Sequence, residues 1–102
     1  MARKIIIWSE TAVRQRRGIF QYWNNRNKST NYTNRLRKLI NERITLIQSN
    51  PEAYLNSGFE ENHVTIIEHF CLYYKILQQE ILITAFWDSR QDPDHLLIIL
   101  KN

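Results

Sequence analysis

The sequence predicts one small α+β domain in which a short strand and a helical hairpin precede an antiparallel three-strand meander. The chain has 102 residues, which fits a single domain. Apolar residues recur at helical spacing before Pro51 and alternate in short runs after it. A hydrophobic content of 43% supplies a core, and two glycines and two prolines leave little room for long irregular loops. We therefore expect residues 1–102 to form one domain around one mixed or antiparallel sheet.

The first half should fold as a strand followed by two helices. Residues 4–8 combine three isoleucines with a tryptophan, a composition typical of a short buried strand. Ser9 can cap a first helix over residues 10–24, because its hydroxyl accepts a bond from an unpaired amide of the first turn. A second helix ends before Pro51, since the residue before a proline is pushed out of the helical region. Residues 9–50 are thus predicted to form a helical hairpin.

The second half should contribute the antiparallel strands, within residues 63–88. Apolar or alternating runs predict strands at 64–67, 70–77 and 81–87. The links between these runs are so short that consecutive strands can only be antiparallel neighbours. Residues 52–62, which contain a glycine and several polar side chains, are predicted to be a connecting loop.

The C-terminal tail, residues 89–102, joins a polar stretch to the apolar run Leu96–Leu100. We expect this run to pack on the domain as an extra strand or helical turn. The alternative is a patch that contacts a partner. No apolar stretch has the length of a secretory signal or a membrane span, so we expect a cytoplasmic protein without membrane attachment.

Charge is divided unevenly between the two halves of the chain. Eleven of the 14 Lys and Arg residues lie in residues 1–50, and eight of the 10 acidic residues lie in residues 51–102. Such asymmetry indicates an anionic partner, either nucleic acid or an acidic protein, although a charged helix face can also serve only to be solvated. The candidate binding residues are those of the basic helical hairpin: Arg14, Arg17, Arg35 and Lys38.

Two arginines interrupt the apolar faces of the predicted helices. Arg16 lies on the apolar face of the first helix, and Arg43 lies on that of the second. A buried unpaired charge is prohibitive, so each guanidinium must reach solvent or find an acid. The acidic half could supply that acid, with Asp88 and Glu68 as candidates.

Catalytic signatures are few. The single cysteine, Cys71, falls inside a predicted strand, and the three histidines are scattered without metal-ligand spacing, so we expect no metal. Phosphate-binding and dinucleotide-binding glycine motifs do not occur, so we expect no cofactor. What remains is binding alone or general acid–base cleavage of RNA, which needs a base, an acid and cations for the phosphorane. The candidates for that chemistry are His63, His69, Tyr73, Tyr74, Lys75 and Arg90.

Several stretches together resemble the RelE/ParE family of type II toxin–antitoxin toxins, also known as plasmid stabilization proteins. The matching pieces are IIIWSETAVRQRRGIFQYWNNRNKS, YTNRLRKLINERITLIQSNP, CLYYKILQQEILITAFW and WDSRQDP, which cover most of the chain in family order. The resemblance implies a strand, a helical hairpin and an antiparallel sheet packed against it. It also implies a cognate antitoxin that neutralises the toxin. RelE-like members cut mRNA on the ribosome, whereas ParE-like members block DNA gyrase.

The sequence departs from this family where the branch carries basic residues along its second strand, in the pattern R-x-K-x-x-R. The corresponding positions are His63, Thr65 and Glu68, while Arg90 and the tyrosine pair that includes Tyr73 are kept. Without those cations much of the phosphate-binding charge is lost. We therefore favour a ParE-like or otherwise non-nucleolytic growth inhibitor.

Two alternatives stay open. One is a ribosome-dependent mRNA endonuclease in which Arg90 binds phosphate and His63 or Tyr73 handles protons. The other is a decayed toxin that acts only as an antitoxin-binding module, with the basic hairpin as its docking surface.

Overall fold

Two antiparallel helices pack on one face of a five-stranded mixed sheet, which confirms the predicted fold class. The computed structural model describes residues 3–59 and 61–90, and the predicted packing of Leu96–Leu100 lies outside them. The helices are α1 (Glu10–Asn27) and α2 (Asn31–Ser49), followed by a 3₁₀ turn at Pro51–Ala53. The strands are β1 (Ile5–Trp8), β2 (Leu55–Phe59), β3 (Asn62–Ile67), β4 (Phe70–Ile76) and β5 (Glu80–Asp88).

Helix α1 begins where the sequence predicts and ends three residues later. The Ser9 hydroxyl accepts a hydrogen bond from the Ala12 amide at 3.1 Å. The asparagine-rich stretch predicted as a turn continues the helix to Asn27. The helix ends where Lys28 adopts a left-handed backbone (φ 50°) and its amide donates to the Asn24 carbonyl. The turn into α2 is therefore only a few residues long.

Helix α2 presents its apolar stripe to the sheet. Its fully buried side chains recur at helical spacing at Thr33, Leu36, Ile40 and Ile47. The Thr33 hydroxyl donates to the Asn24 side-chain oxygen at 2.6 Å, which ties the start of α2 to the end of α1. The hairpin is therefore held by a polar contact at its turn and by apolar contacts along its length.

The sheet has the strand order β1-β5-β4-β3-β2. Strands β3, β4 and β5 are consecutive antiparallel neighbours, as predicted, and β1 adds to β5 in parallel. Side chains on β4 alternate as expected: Phe70, Leu72 and Tyr74 are fully buried against the helices, and Cys71 and Tyr73 point to the other face.

The predicted loop at residues 52–62 is wrong, because this segment contains a 3₁₀ turn, strand β2 and the first residue of β3. Strand β2 pairs with β3 in an irregular register that shifts between Asn56 and Phe59, and Gly58 within it has φ 76°. Its sequence, LNSGF, is rich in residues that disfavour strands. Its strand conformation therefore comes from hydrogen bonds to the edge of β3 and not from a local preference for strand.

Candidate functional site

The candidate nuclease residues His63, Tyr73 and Arg90 lie on the sheet but do not converge. His63 is opposite Tyr74 in the β3–β4 register, so Tyr73 projects to the face opposite His63. Arg90 follows Asp88, which is opposite Phe70 on β4. Tyr74 lies four positions after Phe70 along β4, or about 13 Å at roughly 3.3 Å per residue. The three groups therefore cannot all contact one phosphodiester as they stand.

Arg90 is held by its neighbour Asp88 through three hydrogen bonds. Its Nε donates to Oδ1 at 3.1 Å, its Nη2 donates to Oδ2 at 2.8 Å, and its backbone amide donates to Oδ1 at 2.9 Å. The guanidinium side-chain bonds keep the pKa of Asp88 below its ordinary value, although partial burial of the carboxyl works in the opposite direction. The cation that would bind an RNA phosphate is thus already paired with a carboxylate.

His63 faces the helices and is part of the packing beneath them. Its Nδ1 lies 3.2 Å from the Tyr54 carbonyl oxygen, and its ring stacks on that of Tyr74 with centroids 5.3 Å apart. A carbonyl can only accept, so this contact requires the proton on Nδ1. The Tyr74 hydroxyl donates to the Pro51 carbonyl at 2.6 Å, and burial raises the Tyr74 pKa to about 12. Both side chains therefore connect the sheet to the segment that contains the 3₁₀ turn.

Tyr73 is half-buried on the helix-free face of the sheet. Burial is the main cause that raises its pKa above the ordinary value, so the phenol stays neutral at physiological pH. A neutral phenol can donate a proton, but His63 lies on the other face of the sheet and Arg90 lies beyond the paired residues of β5. The remaining candidate on this face of β4 is Lys75, two residues along.

The other two positions where the family branch carries cations hold structural contacts instead. Thr65 is buried, and its hydroxyl accepts a hydrogen bond from Arg43. Glu68 lies in the β3–β4 turn with φ 57°, forms an ion pair with Arg35 at 3.1 Å, and accepts a bond from the Tyr32 hydroxyl at 3.0 Å. Strand β3 and its turn therefore attach to α2 at the positions where the branch would present phosphate-binding charge.

The predicted acid partners of Arg16 and Arg43 are wrong. Arg16 stacks on the Trp8 ring with 4.4 Å between its Cζ and the ring centroid. Arg43 donates to the Thr65 hydroxyl and to the Ile66 carbonyl, the latter at 2.9 Å. The acids Glu68 and Asp88 pair with Arg35 and Arg90 instead, because the turn and the strand end place them beside those residues.

The predicted basic binding residues divide into two kinds. Arg14 pairs with Glu10 at 3.0 Å, and Arg35 pairs with Glu68, so acids already offset both charges. Arg17 lies in a cleft between α1 and α2, and Lys38 lies on the adjoining surface of α2. Sequence reasoning did not select Arg37, which lines both of these depressions. Arg37 is exposed although it lies one turn after the buried Thr33, so the helical pattern of α2 gave no signal for it.

A third depression, a groove of about 490 Å³, lies between α1 and the end of β5. Tyr22 and Trp23 line it from the helix, Trp87 lines it from β5, and Arg90 lines it from the turn that follows β5. Trp23 also contacts the rings of Tyr32 and His69, with centroid distances of 5.1 and 5.9 Å. Aromatic side chains therefore concentrate at this end of the molecule, beside the Asp88–Arg90 pair.

The described part of the chain holds neither a metal cluster nor a membrane helix. Across residues 3–59 and 61–90, no group of three or more His, Cys, Asp or Glu side chains comes together as a metal site would require. None of the helices in these ranges combines the length and apolarity needed to cross a membrane.

The architecture is that of a small α+β protein with a helical hairpin on a five-stranded sheet, and comparison with known proteins identifies its family. A solved structure of the chromosomal ParDE toxin–antitoxin system from P. aeruginosa shares the fold with a TM-score of 0.72 at 15% identity, covering 85% of this chain and 97% of that chain. Residues 6–93 match the family model described as the ParE toxin of the type II toxin–antitoxin system parDE. The chain therefore belongs to the ParE toxin family, which confirms the resemblance predicted from its motifs. No curated protein matches it in sequence.

Proposed function

We propose that this chain is a growth-inhibiting toxin that acts without cutting RNA, in the manner of ParE-like inhibitors of DNA gyrase. We further propose that a cognate antitoxin neutralises it in the cytoplasm. The observation that supports this best is the pairing of Arg90 with Asp88, because Arg90 is the residue that the nuclease alternative needs to bind phosphate. The positions of His63 and Tyr73 on opposite faces of the sheet argue in the same direction.

RNA cleavage requires more than the presence of suitable residue types. A base, an acid and cations must meet at one phosphate within hydrogen-bond reach, about 2.6–3.2 Å for each contact. In this chain His63 bonds the Tyr54 carbonyl, and Glu68 offsets the charge of Arg35. His63, a candidate for proton transfer, is thus bonded to Tyr54, and Glu68, at a position where the branch carries a cation, is paired with Arg35. Both contacts stabilise the fold, which favours inhibition by binding.

Inducible expression in a bacterial host tests the proposal. Expression of the chain alone should arrest growth with DNA damage and filamentation while translated mRNA stays intact. Arg90→Ala should leave mRNA integrity unchanged. Cuts in translated mRNA that disappear in Arg90→Ala would instead establish the ribosome-dependent endonuclease.

The antitoxin part of the proposal has its own test. A small gene beside this one should encode a protein that co-purifies with the chain and restores growth when co-expressed. Harmless expression without any antitoxin would favour the decayed toxin that only binds its partner. Growth arrest that no neighbouring gene relieves would contradict the neutralisation.

A further inference from the structure

We propose that the helix-free face of the sheet binds a second copy of this chain, with the two sheets packed face to face. Helices α1 and α2 pack on the opposite face, and no helix of residues 3–59 and 61–90 lies on this one. The register and the alternation of side chains assign to the helix-free face Cys71 and Tyr73 on β4 and the aliphatic side chains of Ile5, Ile7, Val64, Ile66 and Leu82. This inference does not depend on the proposed function.

The composition of this face differs from that of a sheet surface in contact with water. An antiparallel sheet with one solvated face alternates apolar and polar residues, and the polar residues point outward. Here β1, β3, β4 and β5 all place apolar residues outward, and Ile5 and Ile66 are 62% and 61% exposed. Among the strand residues that the structure describes, Lys75 and Glu80 alone bring charge to this face, beside the β4–β5 turn. The rest of the face is therefore an uncharged apolar patch.

The area of the face is sufficient for an interface between two chains. Five strands spaced about 4.8 Å apart make the sheet about 24 Å wide. A strand of about six residues, the average length here, is about 20 Å long. Each copy would therefore contribute roughly 480 Å², and the pair would bury about 1,000 Å², which is the lower limit for a specific protein–protein interface.

The apolar run Leu96–Leu100 is too short to cover this area. Five residues would cover about 16 Å by 5 Å as a strand, or about 8 Å by 10 Å as helical turns. In either form they would shield roughly a sixth of the face, and most of the apolar patch would stay in contact with water. A second copy is the occupant whose size matches the patch.

The charge of the face favours a copy of this chain over a nucleic acid. Binding to a nucleic-acid backbone depends on several cations that neutralise phosphates. Lys75 is the one cation at the described strand positions of this face, and Glu80 lies at the same end. A two-fold arrangement brings the same patch of both copies together. An uncharged patch meets no like charge when it does so.

Face-to-face packing would give the pair of sheets the layered arrangement of a β-sandwich, in which inner side chains interdigitate across about 10 Å. Because α1 and α2 lie on the other face of each sheet, both helical hairpins would point outward. The basic residues of the hairpin would stay accessible to other partners. Self-association and antitoxin binding are therefore compatible.

The mass of the purified full-length chain over a concentration series tests the association. Size-exclusion chromatography with light scattering should show a change from monomer to dimer, with a Kd of about 1–100 µM for an interface of this small size. Ile66→Lys should weaken dimerisation by about tenfold or more, because it would bury an ammonium group without a partner. Thermal melts verify that the variant folds.

Leu46→Lys is the matched control. Leu46 is 56% exposed on α2, close to the 61% of Ile66, so the two substitutions add the same charge at similar exposure on opposite sides of the molecule. Leu46→Lys should change the Kd of the dimer by less than about twofold, since it lies outside the apolar patch.

Cys71 reports directly on the helix-free face. It is the single cysteine of the sequence and is half-buried on the central strand β4. Alkylation of the wild-type chain by N-ethylmaleimide, followed by mass spectrometry, should slow by about threefold or more as the protein concentration rises through the dimer range. Leu46→Lys should show the same protection, and Ile66→Lys should show none over that range.

Other results would overturn the proposal. A chain that stays monomeric up to about 1 mM has no self-association surface. A dimer that Ile66→Lys and Leu46→Lys weaken equally, or in which Cys71 reacts as fast as in the monomer, associates through another surface. Protection of Cys71 that is independent of concentration, and is lost when Leu97→Lys and Ile99→Lys are combined, would identify the tail of the same chain as the occupant.

Discussion

Replacing Tyr74 with phenylalanine tests how the sheet is fastened to the 3₁₀ turn. Tyr74 is fully buried, and its hydroxyl donates to the Pro51 carbonyl at 2.6 Å. Tyr74→Phe removes the donor and leaves a carbonyl without that partner, so we expect the free energy of unfolding to fall by about 1–2 kcal/mol. Each kcal/mol corresponds to about 4–8 °C in Tm for a domain of this size. Urea titration at neutral pH measures the change directly.

The same substitution should change the alkaline stability of the protein. Burial raises the Tyr74 pKa from 10.0 to about 12, so the folded state retains the phenolic proton more strongly than the unfolded state does. This stabilisation is complete below pH 10 and is lost as the pH rises to about 12, amounting to about 2–3 kcal/mol. Tyr32, whose pKa is raised to about 12 mainly by burial, adds its own loss. The loss of stability between pH 9 and 12 should therefore be smaller in Tyr74→Phe than in wild type, though not absent.

Tyr22→Phe is the matched control for this experiment. Tyr22 is 55% exposed, and its hydroxyl accepts a bond from Arg26 at the surface. Its loss should change the free energy of unfolding by less than about 0.5 kcal/mol. If Tyr74→Phe proves as stable as Tyr22→Phe at neutral pH, the bond to Pro51 does not stabilise the fold in the way described.

Four further substitutions, one with a matched control, test the core, the strand end and the backbone. Leu36→Ala, at a fully buried site, should cost about 2–5 kcal/mol in urea unfolding, whereas Leu46→Ala, at a site 56% exposed, should cost less than about 0.5 kcal/mol. Asp88→Asn should lower the Tm at pH 7. It should also weaken the fall of Tm in acid, because the lowered pKa of the Asp88 carboxyl stabilises the folded state above about pH 4, and this stabilisation is lost as the pH falls through the pKa of the folded state. Gly18→Ala should stabilise α1 by about 0.5–1 kcal/mol, since a methyl group there meets nothing within 4 Å. Gly58→Ala should instead destabilise the protein by about 1 kcal/mol, because its φ of 76° strains any other residue. Opposite signs for the two glycines are the expected result, and equal signs in thermal melts would contradict the backbone argument.

The regular elements could be predicted because their local signals agree with their tertiary roles. The N-cap at Ser9, the helical stripe from Leu36 to Ile47 and the alternation along β4 each fix an element and its buried face. Strand β2 could not be predicted in this way. Its residues have little strand preference of their own, and the open edge of β3 determines their conformation.

The candidate site was less predictable than the fold, because the sequence does not show which residue a charged side chain will contact. Arg16 was expected to pair with an acid and instead stacks on the face of Trp8, while a left-handed turn places Glu68 beside Arg35. These contacts depend on where distant segments meet. The resemblance to toxins predicted the family correctly, yet which arginines keep their charge uncompensated became visible only in three dimensions.

The parallel pairing of β1 with β5 has a consequence for how the protein is made. Ile5 pairs with Glu80, so β1 acquires its neighbour only after some 75 further residues have been synthesised. At roughly 5–20 residues per second, the N-terminal strand waits about 4–15 seconds on the ribosome. The helical hairpin can form during that interval because its contacts are local. The sheet, and with it any surface that depends on β5, is completed only after β5 has been synthesised.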